Sequence, residues 1–481
     1  MSRRVASNAV WNVGGALASS FVGLVALAVL VKQLGAARMG VFTLALGLIG
    51  FSGILDFGLG RALTQKLASD IGVGKARIEL GALVWKTLGL LVAIGGMAGV
   101  VLWMIIPWAV HNIFHLEGPL VEESIFGLRI VALSMPFALV STAAAGALEG
   151  LQEFRRVSTQ RALLSIMQFG LPTLVSFWRE DAGLAICGLA ASRVIATIAW
   201  LQLLRKLLPY ERGQIAKGED YLQLLRFGGW LSISNAVGPL MVYADRFYLA
   251  SIFPPASVAY YAVPVDSLFR ITTLPVTAMG AVFPALAGYR SNSVKSVAML
   301  QVSLIALIMM LLPALLLASM LSTQLLMVWL GQDFAIHASD IFRWVVLGVF
   351  VNSVAHIPYV LLQGHGRADI TAKLHVLELP LFVAILVFGI SRWGVVGAAI
   401  AWAARAMLDA GLLYLTAIHV HPTYASMLTR GAGLVMLCCC MLVVPLVTSD
   451  PRWFAVNAAV VIMAFTIFSR RIWRQYPREA A

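Results

Sequence analysis

Charge is what this 481-residue chain has least of: Asp, Glu, Lys and Arg together make up 12% of it, while 60% is hydrophobic. Soluble domains carry about twice that charged share. A mean hydropathy of +0.89 is more apolar surface than a water-soluble core can enclose. These scarcities exclude a soluble enzyme. Cysteine is equally sparse. Cys187 stands in one apolar segment and Cys438, Cys439 and Cys440 stand consecutively in another, with neither metal-ligand spacing nor a disulfide framework. They read as small buried apolar residues. Long hydrophilic stretches are missing too. The longest loops expected, 107–121 outside and 209–223 inside, leave no room for an extramembrane domain. That counts against enzymes that polymerise or transfer sugars at a large external loop.

What is present is apolar helix. A membrane-spanning helix needs about 20 mostly apolar residues. Roughly fourteen such segments are predicted, at 8–32, 39–64, 82–106, 124–148, 157–178, 182–206, 226–252, 257–285, 296–321, 338–363, 369–390, 394–418, 426–448 and 453–470. The fold class expected is therefore an all-α polytopic membrane protein. Its first apolar run continues to Val31 without a cleavage-like break, so it reads as an uncleaved helix rather than a signal peptide.

Basic residues orient these spans. Lys and Arg total 35 against 22 Asp and Glu, an excess of +13. With the N-terminus inside, roughly 24 of them, from Arg3 and Arg4 through Arg61, Arg161, Arg205 and Arg367 to the tail Arg470–Arg478, fall in cytoplasmic segments. Only Lys32, Arg38, Arg179, Arg343, Arg392 and Arg452 fall outside. An even number of spans with both termini cytoplasmic follows, in a bacterial inner membrane. The positive excess is topology and not affinity for nucleic acid. Trp103, Trp108, Trp178, Trp329, Trp393 and Trp453 near outer helix ends fit an interfacial belt.

The chain also resembles itself. Sliding it by 219 residues sets Trp11 on Trp230, Leu30 on Leu249 and Phe42 on Tyr261; sliding it by 212 sets Ala185 on Gly397, Ala191 on Ala403 and Arg193 on Arg405. Two six-helix bundles in parallel pseudo-repeat are expected, 1–207 and 226–419. A cytoplasmic linker, 208–225, joins them, and two more helices with a basic cytoplasmic tail, 420–481, follow. Repeated bundles are the plan of a transporter.

Asn8-Ala-Val-Trp11, Leu34-Gly35, Gly40-Val-Phe42 and Leu55-Asp56-Phe57-Gly58-Leu59-Gly60 form an ordered pattern, continued by Gly229-Trp230, Asp245-Arg246, Tyr260-Tyr261 and Gln363-Gly364. With about fourteen helices and a twofold repeat, this resembles the polysaccharide repeat-unit flippases (Wzx type) of the multidrug/oligosaccharidyl-lipid/polysaccharide (MOP) exporter superfamily. The resemblance implies a substrate, a short oligosaccharide on undecaprenyl diphosphate, carried from the cytoplasmic to the periplasmic leaflet for surface polysaccharide such as O-antigen, capsule or exopolysaccharide. It also implies work beside a polymerase and glycosyltransferases.

Ionisable residues within the spans carry the chemistry, because each costs roughly 2.5–3.5 kcal/mol at mid-bilayer and must face a cavity or a partner. Arg193 and Arg405 lie near the middle of corresponding helices and are candidates for the lipid diphosphate, which guanidinium grips bidentately. Each could instead lock helices together, Arg405 with Asp409 one turn away. Arg270 pairs with Asp266 one turn away, and either Asp245 or Arg246, adjacent in sequence, could face the cavity. So Arg246 and Arg270 join the diphosphate candidates. Glu378, with only His375 nearby in sequence, is a candidate for coupling to a proton or sodium ion, or a structural acid. Asp245 and Asp56 are further coupling or gating candidates, Asp56 beside two glycines. Arg129 is placed to reach headgroups, and His356 and His365 read as packing contacts. Prolines inside the spans, among them Pro136, Pro172, Pro264, Pro358 and Pro380, invite bends suited to rocking.

The reading is alternating access with no bond made or broken, hence no enzyme, no metal and no cofactor beyond a coupling cation. A cation-coupled multidrug exporter would want an acidic cavity, against which the midplane arginines argue. A peptidoglycan-precursor flippase and a membrane-embedded glycosyl-transferring enzyme are also compatible with the apolar spans.

Overall fold

In the computed structural model the described residues are 3–72, 77–208, 237–276, 279, 282, 293–448 and 456, and among them there is helix but no strand. The expected linker lies outside them except for Leu208, and so does the segment 453–470 except for Val456. Eight described helical stretches are long and apolar enough to cross a membrane. The all-α membrane fold expected from composition is what forms. Internal contacts divide the chain into two compact units, Met1–Val263 and Pro264–Ala481.

The first unit runs through α1 (Arg3–Leu55), α2 (Leu59–Gly72), α3 (Arg77–Asn112), α4 (Pro119–Gly150), α5 (Phe154–Ser176), α6 (Ala182–Leu207) and α7, described over 237–250. Helix α1 is two spans turned about Gly35, whose φ of 74° suits a residue without Cβ. Helix α8 (Pro255–Phe269) crosses from the first unit to the second. The second unit continues with α9 (Ser293–Met320), α10 (Ser322–Leu330), α11 (Gln332–Gly364), α12 (Ala368–Val420) and α13 (Ala425–Val447). Helix α12 is again two spans, turned at Gly394 with φ 60°. The short α10 was not expected from the sequence.

Each unit is built around one enclosed helix. In the most apolar stretch of α4, 72% of residues are buried, and in that of α11, 83%, against half or fewer in the other candidate spans. These two coincide with the fourth and tenth of the apolar segments expected from the sequence. Their ranges, and those of the span pairs that follow them, are displaced by 213–214 residues, close to the sequence offset of 212. Helices in lipid gain little from apolar burial and associate through close packing of small residues. On α3, a Cβ at Gly95 would lie 2.6 Å from the Cα of Pro136 on α4, and on α11 a Cβ at Gly348 would lie 2.2 Å from the Trp402 ring of α12. Larger residues there would force the pairs apart.

One ion pair gathers three helix ends at one end of the first unit. Arg38 grips Glu123 with Nε at 2.8 Å from Oε2 and Nη2 at 2.9 Å from Oε1, and Glu123 Oε2 also accepts the N–H of Ala182 at 2.9 Å. Asp181 caps α6 by accepting the Leu184 N–H at 3.0 Å. Hydrogen bonds to charged groups are the stronger kind, about 1.5–3 kcal/mol each. Glu123→Ala is therefore expected to destabilise the protein by about 1–3 kcal/mol, read as a lowered unfolding midpoint in detergent; an unchanged midpoint would show the pair to be dispensable.

Candidate functional site

The two midplane arginines stand at matching places. Arg193 is eleven residues into α6, counted from Ala182, and Arg405 is eleven residues past the Gly394 turn of α12. Their surroundings differ in kind. Arg193 is half-buried, its Nη2 donates to Oε1 of Gln168 on α5 at 2.8 Å, and its Nε is sealed from solvent without an acceptor. No ion pair joins it to a carboxylate among the described residues; the group acting on it electrostatically is Tyr243 of α7. Among the described residues, the hydrogen bond from this mid-helix charge is thus accepted by a neutral amide.

Arg405 sits in a charged company. Across the Gly394 turn, the first arm of α12 brings His375 and Glu378 against Arg405 and Asp409 of the second arm. His375 Nε2 lies 3.6 Å from Asp409 Oδ1, and Tyr359 of α11 stacks on the imidazole with ring centres 6.3 Å apart. The Arg405 guanidinium lies 5.9 Å from the centre of the Phe382 ring. Glu378 is completely buried beside the Asp409 carboxyl, and among the described residues no donor reaches either of its oxygens. With both acids ionised and His375 neutral, the four groups carry one excess negative charge. That deficit is one proton or one monovalent cation.

The remaining candidates divide the same way. Arg246 is wholly enclosed, its guanidinium 5.1 Å from the centre of the Tyr243 ring, so Tyr243 is in reach of two of the arginines picked from the sequence. Asp245 is equally enclosed, bonded to the Tyr261 hydroxyl and to the Arg246 N–H. It ties α7 to α8. Arg270 is half-buried with Asp266 in electrostatic reach, as their one-turn spacing predicts. Asp56 is 5% exposed and sits at a break that the continuous span expected over 39–64 does not contain. The chain leaves the helix at Phe57 (φ 47°) and Gly58 (φ 68°) and resumes at Leu59, and Asp56 Oδ1 holds the turn by accepting the Gly58 N–H at 2.7 Å. The Arg129 guanidinium covers the exposed Trp103 ring at 4.0 Å. His365 packs against His421 and Tyr424, and the His356 ring nitrogen Nδ1 meets the Asn352 carbonyl. Among the described residues no group of three or more potential ligands could hold a metal ion. The four thiols are free and make no site; Cys438 is buried as expected, whereas Cys440 faces outward, since consecutive residues on a helix cannot share one face.

Sequence reasoning missed Gln168 because it weighed ionisable residues alone, although an amide in an apolar span was visible. It saw Asp409 only as a neighbour of Arg405.

Comparison with known proteins matches the family model described as "Polysaccharide biosynthesis protein" over residues 5–290. The chain belongs to this polysaccharide biosynthesis family. It is 28% identical over 415 residues to a Shigella flexneri protein named "Putative O-antigen transporter", covering 85% of this chain and 96% of that one. Among solved structures it is similar to the lipid II flippase MurJ in an inward closed conformation, with TM-score 0.70, 13% identity, and 96% and 98% of the two chains covered. It is also similar to an inward-facing MATE-family multidrug transporter of the MOP superfamily, with TM-score 0.66, 17% identity, and 88% and 99% covered. The fold is that of the MOP transporters, and this member of the family is a multi-pass membrane protein. The contrast between the two arginines yields a prediction. Arg405→Gln removes a charge that two acids compensate, whereas Arg193→Gln removes one that none does. The first is expected to lower the unfolding midpoint and the second to leave it unchanged or raised, because relief of an uncompensated buried charge is favourable. Equal destabilisation by both would contradict the distinction.

Proposed function

We propose that this protein flips polyprenyl-diphosphate-linked oligosaccharide repeat units from the cytoplasmic to the periplasmic leaflet of the inner membrane by alternating access, with both termini cytoplasmic. Undecaprenyl diphosphate is the carrier the family resemblance implies. The observation that carries the reading is Arg193, a mid-span guanidinium with a neutral amide as its hydrogen-bond partner and its Nε still unsatisfied. A mid-span charge this poorly compensated is stabilised by an anion that arrives and leaves. A diphosphate supplies one, and guanidinium matches its oxygens bidentately. The sugars need water and polar surface, while the polyprenyl tail remains in lipid. Similarity to a protein named for O-antigen transport and to a lipid II flippase supports a lipid-linked sugar over a cationic drug, which an uncompensated arginine would repel.

The second unit supplies the coupling in this reading. Glu378, Asp409, His375 and Arg405 share one missing positive charge, so one proton or sodium ion bound there neutralises the cluster and biases one conformation over the other. A polymerase and glycosyltransferases are the partners such a pathway requires.

In cells whose own gene is deleted, the lipid-linked repeat unit is expected to accumulate in the inner leaflet. Complementation with Arg193→Gln should restore a membrane-inserted protein but lower export at least about tenfold, the effect of losing one charged hydrogen bond. Full export by that variant would sink the proposed role, and unchanged surface polysaccharide with raised dye sensitivity on deletion would favour drug export. Glu378→Gln removes the unsatisfied charge of the second cluster; transport by that variant is expected to lose its dependence on pH or sodium, whereas a retained profile would move the coupling elsewhere.

A further inference from the structure

Resting on the flippase reading, the geometry points to a second subsite, a neutral polar cavity in the first unit that takes uncharged sugar residues of the repeat unit. It is separate from the arginine assigned to the diphosphate. The cavity has a volume of about 560 Å³, and its polar lining is Asp56, Arg61, Thr64, Thr142, Glu149 and Arg161, with glycines between them. Small-molecule sites commonly fall in about the 300–1,000 Å³ range.

Its walls come from four places in the chain: the break after α1, the start of α2, the end of α4 and the start of α5, with Gly238 and Pro239 of α7 completing the rim. The break itself is informative. Non-helical backbone within a membrane protein is tolerated where protein buries it or where it borders a water-filled space. Here the Asp56–Gly58 turn borders the cavity.

Charge decides what the cavity accepts. Glu149 and Arg161 close an ion pair at 2.6 Å, and Asp56, which lies near Arg61, already supplies the negative charge at the start of α2. Among the described lining residues, two acids and two arginines leave no net charge. A diphosphate would find its arginines already balanced and two carboxylates facing it. A sugar hydroxyl, by contrast, both donates and accepts, and it fits a lining in which carboxylates accept and guanidiniums donate. The two threonines add acceptors. Thr64 donates its proton toward the Gly60 and Gly146 carbonyls at 3.0 and 2.8 Å, and Thr142 to Ala138 at 3.2 Å, so their lone pairs remain for ligand hydroxyls. Gly60 keeps the floor open: a Cβ there would meet nothing nearer than 3.5 Å, so packing does not forbid a larger residue.

The full-length protein in nanodiscs tests this with two probes, a panel of neutral hexoses and N-acetylhexosamines followed by saturation-transfer NMR, and inorganic pyrophosphate followed by phosphorus line broadening. At least one sugar is expected to bind, with affinity reduced about tenfold or more in Glu149→Gln and in Gly60→Ala and unchanged in Arg193→Gln. Pyrophosphate is expected to behave in the opposite way. Gly60→Ala guards against misfolding, since its methyl has room. No sugar signal, or one that neither cavity substitution moves, overturns the subsite, while pyrophosphate binding still lost in Arg193→Gln leaves the flippase reading standing. Pyrophosphate displaced by the cavity substitutions also overturns it, by making the cavity an anion site. Pyrophosphate insensitive to Arg193→Gln, with sugar binding intact, sinks the diphosphate assignment instead.

Discussion

A charge in hydrocarbon must be compensated, and the way each unit compensates its mid-span arginine organises everything else in this structure. At one position the repeat holds guanidinium twice, as Arg193 and as Arg405. In the second unit two acids and an imidazole lie in its charged cluster; in the first, among the described residues, the side chain bonded to it is a glutamine. Burying an ion without a partner costs several kcal/mol. In the proposed reading a cargo of opposite sign offsets part of that cost. The same fold thus carries two electrostatic characters, one short of negative charge and one short of positive.

The packing makes such sites tenable. Small residues let α3 meet α4 and α11 meet α12 at backbone distance, which fixes the enclosed helices without relying on apolar burial that lipid does not reward. The Arg38–Glu123 grip and the Asp181 cap tie these helix ends together, so the ionisable groups further along the helices rest on a held frame. Where the helix breaks, at Asp56–Gly58, the aspartate side chain accepts the Gly58 N–H of the turn. Polar backbone and polar cavity then occur together because each solvates the other.

Much of this was legible in the chain. Scarcity of charge and recurring apolar runs pointed to the all-α membrane class, and the boundaries near Gly35 and Gly394 fell where apolar runs pause. The repeat offset alone paired Arg193 with Arg405. Three features were not legible, each for a physical reason. Asp409 meets His375 and Glu378 only after α12 folds back at Gly394, a contact between residues far apart in the chain. Gln168 is neutral, so a search for ionisable groups passes over it. The cavity is assembled from separated segments, none of which carries a motif, and the break at Asp56 hides inside a stretch whose hydropathy continues through it.

The most direct measurement is pyrophosphate binding by a Gln168→Glu variant of the full-length protein. That change would set a carboxylate where an amide now lies 2.8 Å from Arg193 and give the first unit the self-compensation of the second. The account predicts a folded protein, at least as stable as the parent, that no longer binds pyrophosphate or exports polysaccharide. Undiminished binding and export in that variant would contradict it.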